Sequence, residues 1–287
     1  MSVRLQIISL VACAAASSLD SMVTTAERVL DAIQFERDVD RDQRFLVAVD
    51  AAGMEDVQAT YGVYGEMPLR AIAEVLLLPS VKALAEKGDA RFVDFGSGAG
   101  RLLLGVAAMR GWASAVGVEA IEGLHSIAVG AIARAEAANA IEKGIVSSVH
   151  AGVLPHESPT ADALSTCDIC FMYSTAFPSE DGLRLPELSA SLSCVLREGA
   201  IVVTTDKFLV GERFVFEQLL PVEGAEGERI HAFVWRVHGS PSQNYLSAIR
   251  MVEEVWMGED ACAQNEEACA ALLAVLGEEE EENDDGE

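Results

Sequence analysis

Apolar positions recur at three- and four-residue steps through the first third of the chain, at Val23, Leu30, Ile33 and Phe35 and then at Ile72, Val75, Leu76 and Leu77. That spacing sets them on one face of an α-helix, so residues 23–84 are predicted to be mostly helical. Residues 61–68, Tyr-Gly-Val-Tyr-Gly-Glu-Met-Pro, break the pattern with two glycines and a proline and are predicted to form a loop. Beyond Gly88 the period changes. Short β-rich runs at 91–95, 115–118, 146–150, 169–173 and 200–204 alternate with helical segments at 101–109, 123–140 and 185–196. Such alternation predicts an α/β fold with a doubly wound, mainly parallel sheet. Two more β-rich runs, 214–222 and 230–237, are joined by Glu223-Gly-Ala-Glu-Gly-Glu228, which signals a terminal hairpin and brings the expected sheet to seven strands. A last helical stretch is predicted from about Tyr245 to Leu276, and there is no internal repeat.

Composition sharpens this picture at the two ends. The chain has 287 residues, 51% of them hydrophobic, enough to bury a sizeable core. Its 46 acids outnumber 20 Lys and Arg, leaving a net charge of −26, so no basic patch can cover much of the surface. Strong direct binding to nucleic acid or to an anionic membrane is therefore not expected. Residues 277–287 hold eight acids and no base, and without them the charge is still −18. A run of that density self-repels and has nothing apolar to bury, so it is expected to be a disordered acidic tail, serving solubility or docking to a basic partner. Residues 1–18 carry one Arg4 and an apolar stretch from Leu5 to Ala16, which reads either as a leader peptide or as a short apolar helix on the domain. The first reading points to an organelle or the secretory route, the second to a cytoplasmic protein. No run reaches the length of a membrane span. Between the ends, residues 19–88 form the expected helical region and 89–276 the α/β domain. Six cysteines make no disulfide framework, and Cys167-Asp-Ile-Cys170 lacks the second pair a zinc site needs, so no metal is expected.

The chemistry gathers at Phe92-Val-Asp94-Phe-Gly96-Ser97-Gly98-Ala-Gly100-Arg101. A strand runs into three alternating glycines and a helix follows, so a ligand can approach the backbone without a Cβ in its way and meet free N–H groups of the helix start. Dinucleotide loops have a wider last glycine spacing and bind a pyrophosphate, which Asp94 would repel. An acid two residues before the first glycine suits a cationic ligand instead. Glu119 ends the second predicted strand nineteen residues after Gly100, where a carboxylate can accept both hydroxyls of a ribose.

Asp94 with Gly96, Ser97, Gly98 and Gly100, followed by Glu119, resembles motif I of class I S-adenosylmethionine-dependent methyltransferases. Over residues 61–249 the chain is similar, more narrowly, to the disruptor-of-telomeric-silencing family, the non-SET histone-lysine methyltransferases. Val63-Tyr64-Gly65-Glu66 resembles the loop that closes over the methionine end of the cofactor, and Ser174-Thr175-Ala176-Phe177 the stretch lining the lysine channel. Glu198–Val202 with Lys207-Phe208 resembles the fifth strand and its loop, and Gly239–Leu246 the closing segment that supplies an aromatic wall. The resemblance implies a Rossmann-like methyltransferase fold binding S-adenosylmethionine through Glu66, Asp94, Gly96, Ser97, Gly98, Gly100 and Glu119. It also implies a lysine channel shaped by Tyr64, Ser174, Phe177 and Tyr245, with a histone as partner and a nuclear location. The chain departs from the family in having Ser174 for an asparagine, His150-Ala151-Gly152-Val153 for an Asp-Phe pair at the adenine, Arg101 for a glutamine and Asn244 at the aromatic position, and in lacking basic segments. Two other readings stand beside this one: a class I methyltransferase acting on another protein or on a small molecule, and a non-catalytic module of the same fold that binds basic partners.

Overall fold

A computed structural model of the chain describes residues 18–38, 40–52, 65–152, 155–156, 158–177, 179, 182–224, 227–242, 244–245, 248–249 and 270–271. Tyr64, the leader up to residue 17, most of the expected C-terminal helix and the acidic tail lie outside the described residues. Three helices open the described chain, α1 (Leu19–Ala32), α2 (Phe35–Asp38) and α3 (Arg41–Ala52), followed by α4 (Leu69–Leu77) and α5 (Pro79–Ala85). Ser18 caps α1 by accepting the N–H of Ser21 at 3.3 Å, and α1 buries Met22, Ala26, Val29 and Leu30 along one face.

The sheet is built from β1 (Arg91–Phe95), β2 (Ser114–Glu119), β3 (Val146–His150), β4 (Ile169–Met172), β5 (Ile201–Thr205), β6 (Phe214–Glu223) and β7 (Arg229–Val237). Its spatial order is β3-β2-β1-β4-β5-β7-β6. The first five strands are parallel, whereas β7 runs antiparallel to β5 and β6 antiparallel to β7. The crossovers carry α6 (Arg101–Met109), α7 (Glu122–Ala137), α8 (Thr160–Leu164) and α9 (Pro186–Val195). The doubly wound sheet and hairpin expected from the sequence are thus present, with strand and helix ends agreeing to within a few residues. The five-residue α8 and a 3-10 turn at Ser174–Ala176 carry no periodic signal and were not expected.

Alternate residues of each parallel strand feed two cores, as the pleat requires. Phe92, Ile169, Phe171, Ile201 and Val203 face α1, α4, α5, α6 and α7, while Val93, Phe95, Cys170, Met172 and Val202 face α8 and α9. The N-terminal helices share the first core with the sheet. Gly105 lets them do so: a methyl there would run into Leu69 of α4 and lie 3.6 Å from Ala26 of α1. Because β1 and β4 are neighbours at the centre, their carboxyl ends and the turns leaving them form one crevice, the place where open α/β sheets bind ligands.

Candidate cofactor site

The turn after β1 is set by its glycines. Gly96, Gly98 and Gly100 have φ of +82°, +53° and +81°, values that residues with a Cβ rarely adopt. The N–H groups of Gly96 and Ser97 donate to the carbonyl of Val118 on β2, at 2.8 and 3.0 Å, which folds the loop back over the neighbouring strand. Gly117 of β2 leaves room for it, since a Cβ there would stand 2.6 Å from Ser97 Oγ. At the helix end, a methyl on Gly100 would sit 3.0 Å from Ala128 Cβ of α7. The sequence thus builds a backbone cradle closed on two sides by packing.

Two carboxylates face this cradle. Glu119 is buried, and its oxygens accept the N–H of Gly98 at 2.7 Å and that of Ile121 at 2.8 Å. Burial raises its pKa, while those backbone donors and His150 pull the other way. Each oxygen keeps a further lone pair for a ribose hydroxyl. Asp94 is 3% exposed, and its Oδ2 has no hydrogen-bond partner among the described residues; Ser97 Oγ is likewise unpartnered. Burial, with Glu119 adding repulsion, pushes the Asp94 carboxyl up to about 8. Buried polar atoms without partners are rare, and a pair of them beside a glycine cradle marks a place where a ligand supplies what is missing.

Glu66 lies in an ion network between the N-terminal helices and the start of α6. Arg44 of α3, fully buried, donates to it from Nε at 2.6 Å and from a terminal nitrogen at 2.8 Å, and also reaches Glu36 at 3.1 Å. Arg101, first residue of α6, donates to Glu36 at 2.7 Å with its Nε 3.8 Å from Glu66. The cleft beside this network has a volume of about 480 Å³. Glu66, expected to hold the cofactor directly, is thus held by Arg44 and linked through Arg101 to the helix that starts at the glycine loop. A bidentate grip of this kind needs Arg44 and Glu66, twenty-two residues apart, and no local pattern announces it.

The expected channel residues separate. Phe177 is half-buried, edge-on to Phe95 at 6.0 Å between centroids, and its ring would lie 3.5 Å from a Cβ on Gly96. It forms a wall directly against the cofactor loop. Lys207 holds that wall in place, donating to the carbonyls of Thr175, at 2.9 Å, and of Phe177. Ser174 is fully buried, and its hydroxyl both donates to the carbonyl of Thr205 and accepts its N–H, each at 2.8 Å. In place of lining a channel, this hydroxyl stitches the end of β4 to β5. Tyr245 stacks on His156, with centroids 4.1 Å apart, and packs with Ala190, Cys194 and Val210 on the α9 side. Tyr173, which the sequence reading passed over, has its ring against Gly65, where a methyl would collide with it.

A strand order of 3-2-1-4-5-7-6 with a glycine turn after β1 and an acid at the end of β2 defines a class I S-adenosylmethionine-dependent methyltransferase. The unpartnered Asp94 and Ser97 atoms and the Glu119 carboxylate fit that cofactor, whose amino-acid end is cationic at nitrogen and sulfur and whose ribose offers two hydroxyls. The sequence model of the family described as Histone methylation protein DOT1 matches residues 44–215, more than half the chain, and the protein belongs to that family. No curated protein matches the chain. Among solved structures it is similar to the rRNA methyltransferase aviRa from Streptomyces viridochromogenes, at 17% identity over 64% of this chain and 89% of that one, TM-score 0.46. The putative methyltransferase yhhF from Escherichia coli is 15% identical over 59% of this chain and 86% of its own, TM-score 0.42. CrArsM, an arsenic(III) S-adenosylmethionine methyltransferase from Chlamydomonas reinhardtii, is 16% identical over 70% and 75%, TM-score 0.39.

Proposed function

We propose that this methyltransferase acts on lysine side chains, with histones as its substrates. Membership of the histone-methylation family supports the substrate. The structural observation that carries the reading is the Phe177 ring, set against Gly96 by Phe95 and by the Lys207 clamp. An alkylammonium must lose a proton and advance along an apolar wall to reach a methyl group, and rate then comes mainly from alignment. The bound cofactor supplies an electrophilic methyl on a sulfonium. Glu119 fixes the ribose, Asp94 and the glycine loop fix the amino-acid end, and Phe177 stands as an apolar wall beside Gly96.

Incubation with labelled S-adenosylmethionine and, separately, nucleosomes, free histones and cell extract tests this directly. Label is expected on histone lysines, and label confined to small molecules would overturn the lysine reading. The net charge of −26 favours free histones over nucleosomal DNA as the surface engaged, and it also keeps a different protein or small-molecule acceptor as the second reading.

A further inference from the structure

At the carboxyl edge of the sheet, next to Tyr173, a side-chain cluster joins β4, β5 and β7. Thr175 Oγ1 lies 2.6 Å from Asp206 Oδ2 and 2.9 Å from Thr205 Oγ1. Asp206 Oδ1 accepts the backbone N–H of His231 at 2.8 Å, the N–H of Asp206 donates to the carbonyl of His231 at 2.8 Å, and His231 Nδ1 is 3.4 Å from the same carboxylate. His231 is nine-tenths buried, and its Nε2 has no partner among the described residues. Asp206 has a φ of +56°, an uncommon conformation for a residue other than glycine, maintained by this reciprocal pairing. Burial alone would raise its pKa, but hydrogen bonds from His231 and Thr175 outweigh it and hold the carboxyl below the ordinary carboxylate range. The neighbouring cation, Lys207, is tied to the carbonyls of Thr175 and Phe177. The Tyr173 phenol is raised by burial and by Glu228 and Asp206, with Thr175 and Arg41 pulling it down, so it stays a neutral hydrogen-bonding surface.

We propose that Asp206 is the anionic receptor for the substrate's ammonium, drawing a cationic side chain past Tyr173 toward Phe177 and discriminating against neutral acceptors. This inference rests on the lysine reading above. A carboxylate held ionised in this way is a poor base, so its work is attraction and orientation, and the proton leaves to water once the amine is in place.

The test is steady-state methyl transfer to free histones by the full-length protein and by Asp206→Asn, which tolerates the same φ and keeps an oxygen for His231. The Michaelis constant for histone is expected to rise about tenfold, the loss typical of one charged contact, with the turnover number within about twofold and cofactor affinity by calorimetry unchanged. An unchanged Michaelis constant, or a fall in turnover alone, would overturn the proposal while leaving the lysine reading intact. Absence of transfer to any lysine by the unaltered protein would remove that reading, and this proposal with it. A second measurement needs no variant: n-butylammonium is expected to compete with histone and n-butanol not to, and equal inhibition by the two would refute the receptor.

Discussion

Asp94 has more proton chemistry than any other carboxyl of the site. Because its folded pKa lies near 8 against an ordinary value of 3.8, the ligand-free native state binds a proton that the unfolded chain has released. The stability this contributes is present below about pH 4 and declines as the pH rises toward 8. A cationic ligand reverses the preference. Cofactor binding at pH 7 is expected to expel a proton, seen as a calorimetric heat that depends on the buffer's ionisation enthalpy, and affinity should strengthen from pH 6 to 8 and then level off. Asp94→Asn should abolish that buffer dependence. Glu119→Ala is expected to lose the ribose contacts and leave the Gly98 and Ile121 N–H groups unsatisfied, at about 1–3 kcal/mol each. Cofactor affinity should fall at least a hundredfold in a titration, and an unchanged dissociation constant would mean the site lies elsewhere.

At the scale of elements, the site depends on how closely β2 approaches the glycine loop. In Gly117→Ala the new methyl would stand 2.6 Å from Ser97 Oγ and 2.8 Å from Leu103 Cδ2. Overpacking of this kind costs about 1–3 kcal/mol, so the melting temperature is expected to drop by about 2–10 °C and cofactor affinity by more than the stability loss explains. Much of this level was legible in the sequence. β1, α6 and β3 fall where periodicity put them, because a buried strand leading into a glycine turn and a helix leaves an unambiguous local pattern. What was not legible depends on register between distant segments. The family resemblance makes Ser174 a channel residue, yet its partner is Thr205, thirty-one residues on, across a strand pairing that the sequence does not specify. Asp206, His231 and Arg44 escaped for the same reason: each meets its partners across the fold, with no spacing to betray the contact.

For the whole molecule, charge and proposed function point to the same kind of partner. The proposed substrate is a basic protein, and a net charge of −26 favours basic partners over polyanions. We expect the acidic run at residues 277–287 to add long-range attraction for free histones, so its deletion should weaken histone binding at low salt and have little effect above a few hundred millimolar, where charges more than a few ångströms apart are screened. Equal affinity of the shortened and full-length proteins at low salt would remove that role from the tail.

The position of β7, between β5 and β6, has a consequence for the order of assembly. β5 has a partner on its outer side only after the chain has passed through the hairpin, since Thr205 pairs with Ala232 and Asp206 with His231. A chain interrupted before Phe214 would contain every residue of the glycine cradle, yet β5 would present a bare edge open to pairing with another copy. During synthesis, then, the segment that carries the glycine cradle emerges before the hairpin, and β7, the last of the described strands to arrive, covers the β5 edge that would otherwise invite self-association.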